Sequence, residues 1–268
     1  MSMIVLPFLV CLMLCLILGY LGLHVLKREV IFIDIGVAQV SAFGAVAAHV
    51  FFGFHGDSIQ ALLCGMGATF LAAVLFAVIR RKAGQISIEA VIGITYAVSA
   101  GGTLFVIGKG TGGHTHVQQM LSGALLWIEK KDLLWAFPVF AAAGVCLFMC
   151  RKPFRKISDD YDKAVSSGIN VIGWDFLFYA ITGVVITMSV RLAGVLVTFC
   201  FLIIPATFSA LFSTSWKIRL LVTYLAGIVG SVMGLLFAQW LDFSVGPSVA
   251  VSLCIILVLG SILVNDRR

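Results

Sequence analysis

With 268 residues, 61% of them hydrophobic and 11% charged, and a mean hydropathy of +1.13, the chain is far from a soluble domain, which carries roughly 25% charged residues. At about 20 apolar residues per crossing, eight to ten membrane spans use up its length, which excludes an appended soluble catalytic domain. The formal charge of +6 is a topology signal and not a nucleic-acid footprint, because lysines and arginines collect between apolar runs.

The apolar runs predict nine spans, at about 3–26, 32–54, 58–79, 88–108, 132–150, 172–190, 192–213, 219–240 and 246–264. The count drops to eight if one of the short runs 172–190 or 192–213 is re-entrant. The expected fold is therefore all-α, a polytopic bundle of about nine (eight to nine) transmembrane helices forming a single domain over residues 1–268. If the N-terminus is outside, fourteen of the 18 lysines and arginines fall on one face. Only Lys109, Lys130, Lys131 and Arg191 fall on the other, so the chain reads as N-out and C-in.

The first run lacks a basic start and is longer than a signal-peptide core, so it is expected to stay as a span. The second run opens with Asp34, an acid whose place in a span costs roughly 2.5–3.5 kcal/mol at the bilayer centre. Near the boundary that cost can be escaped by snorkelling. Asp34 is either a pathway residue or a structural partner of Lys27 or Arg28. Gln39, deeper in the same run, offers an amide oxygen to a transiting ion or a hydrogen bond to another helix. Glu89 opens the fourth run, either as an intramembrane acid or as a first-turn carboxylate complementing the helix dipole. Histidines inside spans, His24 and His49, read as hydrogen-bonded and not ligating.

GTLFVIGKG at 102–110 is not a phosphate loop, since Lys109 is followed by Gly110 in place of Ser or Thr. The glycine-rich stretch that follows carries His114 and His116, two imidazoles that can turn toward one borderline metal on the outer face. Two ligands alone make a weak site. The longest polar run, RKPFRKISDDYDKAVSSGIN at 151–170, lies on the basic and hence cytoplasmic face. There Ser158 is the expected N-cap, with Asp159, Asp160 and Asp162 in the first turn of a short amphipathic helix.

Arg191 is an interfacial anchor on the outer side. The run beyond it, RLAGVLVTFCFLIIPATFSAL, should kink at Pro205, where a backbone donor is missing. Such a break survives in hydrocarbon only where neighbouring groups satisfy the freed carbonyls, a pattern of transporter helices. All seven cysteines lie in apolar runs, with Cys11/Cys15 and Cys146/Cys150 one turn apart; packing is the expected role, soft-metal binding the alternative. Glycines such as Gly230 and Gly234 suit either close helix packing or a dimer seam.

Five ordered segments carry a family resemblance: FIDIGVAQVSAFG at 32–44, IEAVIGITYAVSAGGTLFV at 88–106, LSGALLWIEKKDL at 121–133, AGVLVTFCFLIIPATFSALF at 193–212 and DFSVGPSVAV at 242–251. In these the chain resembles the ABC-3 permeases, the integral-membrane subunits of ABC importers for zinc, manganese and iron. The resemblance implies a type II-importer-like permease of a bacterial inner membrane that translocates a divalent metal as a homodimer. It also implies an ABC ATPase subunit that binds ATP and an extracytoplasmic metal-binding protein as partners, with no cofactor or nucleotide site in this chain. The Asp160-x-Asp162-x-Ala164 run ending in Gly168 is similar to the family's coupling segment (about 151–170), and 109–131 to its outer gate. One departure stands out: the acid and histidine that the family places one turn apart, where they meet the metal, fall here on Ile35 and Gln39, with the acid displaced to Asp34.

Overall fold

The structure is a computed structural model and describes residues 2–54, 58–82, 86–107 and 130–265. Among these residues all regular structure is helical: α1 (Ser2–Arg28), α2 (Ile33–Phe52), α3 (Ile59–Lys82), α4 (Ile88–Ile107), α5 (Lys130–Met149), α6 (Arg151–Asp159), α7 (Tyr161–Ser166), α8 (Val171–Phe212), α9 (Trp216–Leu241) and α10 (Val245–Asn265). All but the short α6 and α7 are long and apolar enough to cross a membrane, which makes eight such helices among the described residues. Large apolar side chains point outward along them, with Leu71 75%, Leu134 79% and Trp240 88% exposed. That inverts a soluble protein's surface and suits hydrocarbon.

At 42 residues, α8 would be about 63 Å long at 1.5 Å per residue, twice the roughly 30 Å of a hydrocarbon core. Its backbone leaves helical geometry at Gly194 (φ 81°, ψ 166°), a conformation natural only to glycine. The run is thus two segments of crossing length, matching the expected pair of spans at 172–190 and 192–213. Gly194 marks the boundary between the two, and Pro205, the expected kink, lies eleven residues further on, inside the second segment. A proline costs one amide hydrogen bond, whereas a left-handed extended residue resets the direction of the chain. The Thr198 hydroxyl donates to the Gly194 carbonyl at 2.8 Å, giving the broken turn a polar partner.

The described residues group into two compact units, one drawn from Met1–Leu26, Met120–Gly144 and Met188–Arg268, the other from Lys27–Gln119 and Val145–Thr187. In the first, small residues set the helix spacing. A Cβ on Gly22 of α1 would run into the Leu202 carbonyl of α8, and one on Gly227 of α9 into the Cys15 sulfur. Gly230 and Gly234 of α9 lie against Leu253 and Val249 of α10, so these glycines serve packing within the chain. In the second unit α2 packs on both α3 and α4. Gly44 faces the Cys64 carbonyl and Ala68, Gly65 the Ser41 carbonyl, and Gly36 the Ile92 side chain. Close backbone approach of this kind is how helices associate where no hydrophobic effect drives them together.

Candidate functional site

The polar run after α5 folds as two short helices and the turn leading into α8. α6 is one-sided, with Phe154, Ile157 and Ser158 buried while Arg151, Lys152 and Lys156 are exposed. The expected cap at Ser158 is corrected: α6 continues through it, and the N-cap of the next helix is Asp160. There the backbone is extended (φ −157°, ψ 104°) and the side chain accepts from the Lys163 amide at 3.0 Å. Ser158 is instead buried and its hydroxyl accepts from Arg28 Nε at 2.9 Å. The Lys163 ammonium lies 2.9 Å from the Asp160 carboxylate. Hydrogen bonds from the Lys163 side chain and amide hold the Asp160 carboxyl below the usual carboxylate range, and the same pairing raises Lys163.

The other residues of the pattern divide by role. Ala164, only 3% exposed, forms a small core with Ile157 and Val171, against which Tyr161, Val165, Ile169 and Trp174 pack. A larger side chain there would prise α7 from α8. Gly168 takes the left-handed conformation (φ 76°) that ends α7, its amide donating to the Val165 carbonyl at 3.1 Å, a use typical of glycine after a helix. Asp162 is exposed in the first turn of α7. Asp159 is also exposed and forms an ion pair with Lys27. The segment therefore presents an outer face of Asp159, Asp162 and Lys163 while its inner face is locked down.

Beneath it lies a buried charged node. Arg28, at the end of α1, donates from Nη1 to Asp175 of α8 at 2.6 Å, and solvent reaches neither side chain. Arg80 of α3 approaches the same carboxylate, with Nη1 3.3 Å from each oxygen and 3.4 Å from the Tyr179 hydroxyl. The Arg28 guanidinium also stacks over Phe178 at 4.0 Å and that of Arg80 over Tyr161 at 4.6 Å. Asp175 belongs to no motif in the sequence. Its signal was an acid a few residues inside an apolar run, which membrane energetics permits only with a partner.

Asp34 is 1% exposed, and neither carboxylate oxygen has a hydrogen-bond partner in the structure. Its expected pairing with Lys27 or Arg28 is corrected, since Lys27 takes Asp159 and Arg28 takes Asp175. Ile35 and Gln39, one helical turn apart, share a half-buried face of α2. Asp34 is offset from them by one residue, about 100° around the helix, and points into the packing. Gln39 Nε2 donates to Thr103 Oγ1 of α4 at 3.4 Å, and Thr103 in turn donates to the Ser99 carbonyl at 2.8 Å. Gln39 thus makes the inter-helix bond that was one of its two expected roles. Glu89 accepts from the Ile31 amide at 2.9 Å and so ties the start of α4 to the turn before α2.

His114 and His116, with the gate segment as far as residue 129, lie outside the described residues. His24 is fully buried, with Tyr20 and Trp216 ring centroids 5.0 and 4.8 Å away. Cys15 packs at 3.7 Å from the Tyr224 carbonyl, and every cysteine is a free thiol. Among the described residues no three His, Cys, Asp or Glu side chains come together as a metal cluster. A groove of about 470 Å³ lined by Leu196, Cys200, Pro247, Ala250 and Cys254, among others, is apolar and presents no charged group.

Comparison with known proteins agrees over nearly the full length. The Bacillus subtilis protein described as manganese transport system membrane protein MntD is 22% identical over 245 residues, covering 87% of this chain and 82% of the relative. A Chlamydia muridarum protein described as a probable metal transport system membrane protein is 19% identical over 234 residues, covering 87% and 79%. Among solved structures, that of PsaBC from Streptococcus pneumoniae in complex with Fab superposes with a TM-score of 0.77 at 19% identity, over 97% of this chain and 91% of that one, a likeness of fold. The sequence also matches the model of the ABC 3 transport family from residue 1 to residue 264, and the chain, a multi-pass membrane protein, belongs to that family.

Proposed function

We propose that this chain is the permease subunit of an ATP-driven importer, which moves a divalent metal ion (zinc, manganese or iron) by alternating access at a homodimer interface. An extracytoplasmic binding protein delivers the ion to the outer face, where His114 and His116 form part of the gate segment at 109–131. A separate ATPase docks on the cytoplasmic segment 151–170. The chain itself makes and breaks no bonds. ATP binding and hydrolysis act by favouring one of two bundle states, which requires contacts that differ between them. The ion passes along α2, where Gln39 offers a neutral amide oxygen and Asp34 a carboxylate that becomes available as the helices move.

The observation that carries this reading is the construction of α6 and α7. Asp160 caps, Ala164 anchors and Gly168 terminates, leaving Asp159, Asp162 and Lys163 on an ordered, outward charged face. A loop with no load to bear needs no such inner lock. The basic surplus on the same face of the chain supports its placement in the cytoplasm.

Reconstitution in proteoliposomes tests it. Metal uptake is expected only when the ATPase and ATP are supplied, and uptake by this chain alone down an imposed ion gradient would overturn it. The latter result would favour a secondary carrier, the reading to which the buried, unpartnered carboxylate of Asp34 lends weight.

A further inference from the structure

The node of Arg28, Asp175 and Arg80 is poorly explained as a device for stability. Two guanidinium groups share one carboxylate, so the cluster keeps an excess positive charge, and Arg28 Nη2 is buried without an acceptor. Desolvating three charged groups is costly, and well-packed apolar residues of similar volume commonly do as well or better. What the arrangement supplies is geometric. A guanidinium is planar and fixes the direction of each partner it bonds.

Each arginine holds one coupling helix to the same acid. Arg28 spans from Ser158 in α6 to Asp175 in α8, at 2.9 and 2.6 Å. Arg80 spans from the ring of Tyr161 in α7, at 4.6 Å, to Asp175 at 3.3 Å. The arginines themselves belong to the ends of α1 and α3. Five helices therefore converge on one carboxylate, three of them membrane-crossing and two belonging to the docking segment.

We propose that Asp175 is a positioning residue for energy coupling: the Arg28–Asp175–Arg80 node makes the docking segment and the ends of α1, α3 and α8 move as one body. This rests on the permease reading above. With the carboxylate gone, the two guanidinium groups repel with only the Phe178 ring and the Tyr179 hydroxyl to hold them on α8, and the ends of α1 and α3 loosen from it. The outward face of α6 and α7 stays where the small core of Ile157, Ala164 and Val171 holds it. Force from an ATPase would then reach the segment and, through Val171, the start of α8, but would pass poorly to the ends of α1 and α3.

The test uses the full complex of this chain with its ATPase and binding protein in proteoliposomes, reading ATP hydrolysed and metal imported in the same vesicles. Asp175→Asn is expected to keep the ATPase bound and hydrolysing while metal imported per ATP falls at least tenfold; Asp175→Glu, which restores the charge, should recover part of that ratio. The paired variant Ser158→Ala with Tyr161→Leu leaves the ion pairs intact, keeps an apolar side chain against the small core, and removes the contacts of Arg28 and Arg80 with α6 and α7. It should uncouple in the same way, and it decides the matter should Asp175→Asn fail to fold. A wild-type ratio in the paired variant or in Asp175→Asn would overturn the proposal, as would hydrolysis and import falling in step. Absence of ATPase binding by the wild-type chain is a distinct outcome, which removes the permease reading and the node's role with it.

Discussion

Arg28 and Asp175, 147 residues apart in sequence, form an ion pair of 2.6 Å that solvent does not reach. Because Arg80 leans on the same carboxylate, substitution of the acid leaves one fully buried and one partly buried cation without that counter-charge. Asp175→Leu should cost about 3–5 kcal/mol, whereas replacing all three residues by apolar ones of similar volume should recover most of that loss. Thermal unfolding of the purified protein in detergent checks this, and a triple variant as unstable as the single one would contradict it.

Helix spacing is expected to be intolerant at particular glycines only. Gly22 faces the Leu202 backbone carbonyl, which cannot rotate away as a side chain can, so Gly22→Val should cost about 3 kcal/mol or more. Nothing lies within 4 Å of a Cβ placed on Gly67, and Gly67→Ala should be nearly neutral. Yield of monodisperse protein from membranes distinguishes the two.

The acids of the proposed docking segment should separate by function. Asp162→Lys reverses an exposed charge without touching a structural contact and should weaken ATPase co-purification while leaving the chain inserted and folded. Asp160→Ala removes the N-cap of α7 and should act through disorder of that helix, seen as faster amide exchange over 161–166. Unchanged co-purification with Asp162→Lys would contradict docking at this face.

Acidity should affect the same cap. The Asp160 carboxyl is held below its ordinary range by Lys163, so the contribution of the cap is present above the unfolded carboxylate pKa and lost as pH falls through the lower folded value. Amide exchange at Lys163 should therefore stay slow down to and somewhat below the ordinary carboxylate range and quicken under stronger acid. The pair is exposed, so high salt should blunt the effect.

Much of this architecture was legible in the sequence, and the reasons are physical. Apolar runs of crossing length are constrained by bilayer thickness, so spans such as 172–190 and 192–213 emerge with boundaries close to those of the two halves of α8. The polar run 151–170 and its pattern of Asp160, Asp162, Ala164 and Gly168 likewise mark a built segment. Local signals misassigned the cap, because Ser158 and Asp160 both suit an N-terminus and only the buried Arg28 decides that the serine faces inward. Long-range charge pairing was not legible either. Lys27, Arg28 and Arg80 register in sequence as topology markers, and nothing local reveals that two of them converge on Asp175. The boundary between the halves of α8 falls at Gly194, the residue there that can adopt the required φ without strain.

We propose that a separate ATPase drives this bundle through α6 and α7. A photo-crosslinking residue placed at Asp162 in the full complex tests it most directly. A crosslink to the ATPase is the expected result. Labelling of that position by a membrane-impermeant reagent added outside intact cells would contradict it.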